Sequence, residues 1–258
     1  MVNLADWLEA EEVSGFRFAA ERWTERPFDA QARAEAVGRE VLANYANRDW
    51  LARRMESMGY ERLAQHLRDT VLPPSGNTRT GDFGEIVGTF LLRQHKEFFV
   101  PVLRLRYKDA PDGTQRLIDI VAFQFRKPPG RTVVAVCEVK TRSASDPSIA
   151  VRAADQLAAA VKDLPLSLSF MDRRLTDEGK HQFADLVAAL LDPDADYHLE
   201  QHVCAVTDTD VVHAEVFDRL EDPGSYADVK ASVVLLAGMA QLISDSYDSA
   251  SRLDGFAS

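Results

Sequence analysis

The run from Thr132 to Val139, TVVAVCEV, constrains this chain most. It consists of threonine and valine apart from Ala135, Cys137 and Glu138. A stretch of that length and composition reads as a strand covered on both faces. Such strands belong to α/β sheets flanked by helices, and that fold class is the expectation here. At the strand's end, Glu138 and Lys140 stand two residues apart and project from the same face. A carboxylate beside an ammonium on a buried strand end is costly unless the two are paired or used.

The preceding apolar run repeats the pattern. Leu117, Ile118, Ile120, Val121 and Ala122 are apolar, and Asp119 interrupts them. A lone aspartate is disfavoured there by both burial and strand propensity. Between the runs, Arg126-Lys127-Pro128-Pro129-Gly130 is a strong turn signal. An antiparallel hairpin is therefore expected, with Asp119 and Glu138 brought together. Two converging carboxylates suit Mg²⁺ or Mn²⁺, which prefer hard oxygen ligands. Lys140 can then steer a water or offset charge on a phosphorane.

A helix is expected before these strands, in RTGDFGEIVGTFLLRQ. Phe83, Val87 and Phe90 mark its apolar face, and Glu85 points away from that face. Gly81, Gly84 and Gly88 form a small-residue stripe beside Glu85. If that stripe meets the sheet, Glu85 overhangs the strand ends. The segment FFVPVLRLRYK reads as a first strand, with Arg104, Arg106 and Lys108 on one face as phosphate contacts or as a solvated face.

An E-x-K pair alone is ordinary surface charge; the ordered combination carries the argument. Glu85, then Ile118-Asp119, then Glu138-Val139-Lys140 resembles the PD-(D/E)XK nuclease superfamily, with Ile118 where the motif has proline. More narrowly, GDFGE, the R-Y-K segment and CEVKTRS resemble the HamA-type nuclease-like subunit of the Hachiman anti-phage system. The resemblance spans roughly residues 79–157. It implies a restriction-endonuclease-like core and a divalent-metal-dependent DNA nuclease in defence. It also implies a helicase partner that restrains the chain or acts with it. Glu85, Asp119 and Glu138 become the expected metal ligands, with Lys140 catalytic and Gln156 as the accessory glutamine on the following helix. The alternative is an inactive nuclease fold serving as a DNA-binding or assembly module.

Charge supports a nucleic-acid partner only locally. The net charge is −11, yet residues 79–152 hold 13 Lys/Arg against 8 Asp/Glu. A basic unit inside an acidic chain suits phosphate contact. Cys137 and Cys204 fall in apolar runs and read as buried thiols in a reducing cytoplasm. No apolar run reaches membrane-spanning length.

Pro73-Pro74-Ser75-Gly76 is the expected boundary, giving a helical extension over 1–76 and the nuclease-like unit over 77–258. Within the extension, 1–27 are expected as short helices or strands packed on the core. Helices are expected over 29–47 and 48–71. Later helices are expected from Asp146-Pro147 to about Leu164, over 176–191 and over 226–243. A strand is expected over 199–206, and residues 244–258 are expected to fray. The segments 1–72 and 226–243 are the expected docking surfaces.

Overall fold

A computed structural model describes residues 4–74, 76–113, 117–125, 131–209, 213–221 and 228–253. A 3₁₀ turn leads into strands β1 (Leu8–Val13) and β2 (Ala19–Glu25). Helices α1 (Ala30–Tyr45), α2 (Arg48–Met58), α3 (Tyr60–His66) and α4 (Gly76–Gln94) follow. Next come β3 (Ile120–Gln124), β4 (Thr132–Arg142), α5 (Ile149–Ala160), α6 (Leu164–Asp177) and α7 (His181–Ala189). The described chain closes with β5 (Tyr197–Asp208), α8 (His213–Glu221), β6 (Val229–Leu236) and α9 (Met239–Ser251).

One mixed sheet runs in the order β1-β2-β6-β5-β4-β3. The four inner strands are mutually parallel, and each edge strand is antiparallel to its neighbour. Alternation along β4 splits the core in two. Ala135, Cys137 and Val139 face α1, α4 and α9, while Val134 and Val136 face α5 to α8. Both cysteines are buried free thiols. Among the described residues no helix is long and apolar enough to cross a membrane.

The α/β class and the hairpin of β3 and β4 match expectation. Asp119 directly precedes β3, and the register sets Ile120 opposite Cys137, which brings Asp119 to Glu138. The expected turn at 126–130, with Arg126 and Lys127, lies outside the described residues, as does Asp210.

Several expectations are corrected. Residues 1–27, expected as short helices or strands on the core, supply β1 and β2 of the main sheet, so the extension named helical over 1–76 is helical only from Ala30 to Val71 before α4 begins. The single helix expected over 48–71 is broken at Gly59, whose φ of 77° ends α2, and it finishes in a π turn over Leu67–Val71. The expected strand through Arg104 is a 3₁₀ turn, Arg104–Tyr107, and only Phe99 bridges to Phe123.

Helix α5 starts at Ile149, with Ser148 rather than Asp146 at its cap. The end expected for that helix is a 3₁₀ turn, Val161–Asp163, and α6, with a proline in its first turn, fills 165–175, where no element was expected. Gly179, at φ 72°, then separates α6 from α7. The helix expected over 226–243 is two elements, β6 and α9, parted by Gly238 in the left-handed region at φ 59°. Leu236 is fully buried, so 229–236 is core and not a docking surface. Helix α9 does not fray before Ser251: Ser246, Tyr247, Ala250 and Leu253 are buried against α1 and its surroundings.

Candidate active site

Helix α4 can lie on the sheet because it carries no side chain where it touches. A Cβ on Gly84 would stand 1.7 Å from Thr141 Oγ1, and one on Gly88 would stand 2.7 Å from Val139 Cγ2. Gly81 meets nothing within 4 Å and opens onto solvent. The stripe therefore meets the sheet at two of its three glycines. Glu85, next to Gly84, is held over the ends of β3 and β4.

Asp119 reaches across that junction. Its Oδ2 accepts from the Val139 N–H at 3.0 Å, which fixes the carboxylate between Glu138 and Lys140 along the chain. Lys140 Nζ donates to Glu138 Oε1 at 2.6 Å. Glu138 is buried at 1% exposure, while the Lys140 side chain keeps 28%. Glu85, Asp119, Glu138 and Lys140 thus meet at one strand-end corner.

Arg104 supplies the link that the sequence did not reveal. Its Nη2 donates to Glu85 Oε2 at 2.5 Å and to Asp119 Oδ1 at 2.7 Å. Its Nε donates to Glu85 Oε1 at 3.2 Å, and its Nη1 to the Leu117 carbonyl at 3.0 Å. One turn further on, Lys108 donates to both oxygens of Asp82 at 2.7 and 2.6 Å. Tyr45 also donates to Asp82. The cations at 104 and 108 therefore clasp the acids at 82 and 85 of α4. A signal for this was present: acids spaced i,i+3 on one helix and cations spaced i,i+4 nearby. Arg106 turns away and bonds the Ala43 carbonyl. The shared strand face expected for Arg104, Arg106 and Lys108 is thus overturned, since all three are bonded inside the protein.

Electrostatics follow from burial. Burial pushes the Glu85 carboxyl up to about 7, against the pull of Arg104. Burial, and then the neighbouring Asp119 charge, push Glu138 up to about 7 against the pull of Lys140. Burial also raises Asp82, opposed by Lys108 and Tyr45. Three acids in one corner are held with their charge at a premium, which is common at functional sites.

A cleft of about 720 Å³ opens beside the corner, lined by Asn77, Asp82, Arg104, Asp119, Gln156 and Lys162 among others. Gln156 sits on α5, exposed, on the wall across from α4. An adjoining hollow is lined by Glu85, Asp119, Lys140 and Arg142. The carboxylate donors suit Mg²⁺ or Mn²⁺ in kind, since they are hard oxygens without competing sulfur. Their placement does not: among the described residues no three such groups stand arranged around one point, and Arg104 lies between Glu85 and Asp119.

A mixed sheet with helices on both faces, carrying a helix acid, a strand acid and an E-x-K pair at one corner, defines an α/β protein of nuclease-like build. The family model for HamA matches residues 8–244, nearly the whole chain, so the match reaches from β1 into α9. The chain belongs to the HamA family, the nuclease-like subunit of the Hachiman system, and is a protein of anti-phage defence. No curated protein matches it.

Proposed function

We propose that this chain is a divalent-metal-dependent nuclease that hydrolyses DNA phosphodiesters during defence. The observation that carries the reading is the corner itself: Asp119 bonded to the backbone between Glu138 and Lys140, with Glu85 tied to it through Arg104. In this reading Glu85, Asp119 and Glu138 would hold Mg²⁺ or Mn²⁺, in an arrangement other than the one described above, where Arg104 pairs with the first two. Such an ion would supply polarisation of a phosphoryl oxygen and a bound water of lowered pKa.

The chain's own groups do the rest. Val139 N–H locks the Asp119 carboxylate in one rotamer, the kind of support that keeps reacting groups in place. Lys140 is anchored at Glu138 and partly open to solvent. It can hold the attacking water and offset charge growing on the phosphate. Gln156, on the far wall of the cleft, can donate its amide to a phosphate oxygen.

The test is plasmid cleavage with Mg²⁺ or Mn²⁺, comparing the chain with Lys140→Ala. Removing the ammonium should cost about 10²-fold or more, as for other groups that stabilise developing charge. Full activity in Lys140→Ala sinks the assignment. DNA retention without any cleavage by the unaltered chain would favour the inactive binding module instead.

The helicase partner belongs to the same proposal and rests on membership of the Hachiman system. Plasmid degradation by the chain alone, and together with the helicase subunit, should differ at equal metal and salt. Equal rates would remove the idea of restraint and leave the metal site untouched.

A further inference from the structure

Large apolar side chains left in solvent are few here, and they gather. Among the described residues six are exposed: Tyr60, Phe99, Leu166, Phe183, Leu186 and Leu191. Phe183 and Leu186 stand one turn apart on α7, and Leu191 follows at its exit. Phe99, in the segment that bridges to β3, lays its ring 4.7 Å from that of Phe183. The inner face of the same helix, Ala184 and Val187, is already buried in the core. A nine-residue helix therefore carries a second apolar face, and a gathered patch of that kind marks an interaction site.

The order of side chains along that face says what covers it. Lys180, Phe183, Leu186, Ala189 and Asp192 fall at three-residue intervals, the spacing of one ridge on a helix surface. All five are exposed. The ridge is basic at one end, acidic at the other and apolar between, with Leu186 at its centre. Turned about a two-fold axis at Leu186, it meets its own copy in reverse. Leu186 then meets Leu186, large Phe183 meets small Ala189, and Lys180 meets Asp192. That is the self-complementarity an isologous contact needs, where each pairing occurs twice. The charges at the two ends are available for it. Lys180 pairs with Glu178 yet keeps 44% of its side chain exposed, and Asp192 forms no ion pair among the described residues.

We infer that two copies of this chain pair through the α7 ridge. None of its five residues lines the cleft at the corner, so the inference stands whether or not that corner holds a metal. Sedimentation velocity over a concentration series tests it on the full chain. The unaltered chain should move from monomer to dimer as concentration rises. Leu186→Glu puts two carboxylates on the axis and should stay monomeric, with an unchanged thermal melt because the position is exposed.

The charges give the sharper reading. Lys180→Glu and Asp192→Lys each set like charges at both ends of the two-fold, and each should raise the dissociation constant about tenfold or more. Mixed together, the two variants should pair as the unaltered chain does, because every altered charge then meets its opposite. A role confined to one copy cannot produce that restoration. An unaltered chain that stays monomeric overturns the inference, and so does a dimer that survives Leu186→Glu. Failure of the mixture to restore pairing overturns it too. A monomer that binds the helicase subunit, and loses it in Leu186→Glu, would assign the ridge to that partner instead. Should Leu186→Glu melt below the parent, Ala189→Arg takes its place: the position is exposed, and a long charged side chain there meets the second copy's Phe183. Dimerisation undiminished in a well-folded Ala189→Arg overturns the inference equally.

Discussion

Glu138 and Glu85 make the stability of this chain depend on pH in an unusual direction. Both are raised from an ordinary 4.5 to about 7, chiefly by burial. An acid with a raised folded value binds its proton more tightly in the native state than in the unfolded one. It therefore adds stability at low pH, and that contribution is lost as pH climbs from about 4.5 to about 7. Melting temperature should fall across that window and level off above it. Glu138→Gln should flatten the fall and melt above the unaltered chain at pH 8. A variant that melts lower than the parent at pH 8 would refute the account. Glu85, Asp119, Glu138 and Lys140 were legible as polar residues out of place in apolar runs. Arg104 was legible as a candidate phosphate contact, but its bonds to Glu85 and Asp119 were not. Its R-x-R-x-K spacing fits a strand face and a helical turn equally well, and only the packing of α4 decides between them.

Among the elements, α4 carries the most testable packing. Replacing Gly84 by alanine gains about 1 kcal/mol of helix propensity. It also forces a methyl into Thr141, at 1.7 Å from Oγ1 and 3.1 Å from Cβ. Overpacking of that kind costs about 1–3 kcal/mol, and the backbone of α4 cannot shift without moving Glu85. Gly84→Ala should therefore lower both melting temperature and cleavage. Thr141→Ala in the same chain should restore most of the stability, since the hydroxyl that clashes is buried and unbonded among the described residues. Failure of the second change to restore anything would mean that α4 does not ride on β4 in this way. The strand pattern of β4 could be read because β-branched residues run through it unbroken. The division of 226–243 could not, because a short apolar run suits a buried strand and a buried helix alike. Gly238 marks the break only once its left-handed backbone is known.

For the molecule as a whole, turning Arg104, Arg106 and Lys108 inward changes where DNA is expected to bind. The positive excess of 79–152 is partly spent on internal pairs, so contacts should come from the cleft rim. Lys162, exposed after α5, lines that cleft, whereas Arg54 stacks over Trp50 on α2. Lys162→Glu should weaken DNA binding and reduce the slope of log affinity against log salt by about 0.9, one phosphate contact's worth. Arg54→Glu should leave the slope alone, and equal effects at both positions would place the helical layer in the groove too. The sheet order has another consequence, concerned with time. Strand β2 pairs with β6 from Ala19 to Thr24, setting Arg22 opposite Val233, so the early hairpin has no partner until the late strand exists. During synthesis β3, β4 and β5 are all made before β6, so they can pair with one another first. The joint between β2 and β6 must wait for the late strand, and loop-closure entropy makes such distant pairing slow. The acidic corner draws on α4, the turn at Arg104 and the hairpin of β3 and β4, all of which leave the ribosome before the strand that closes the sheet.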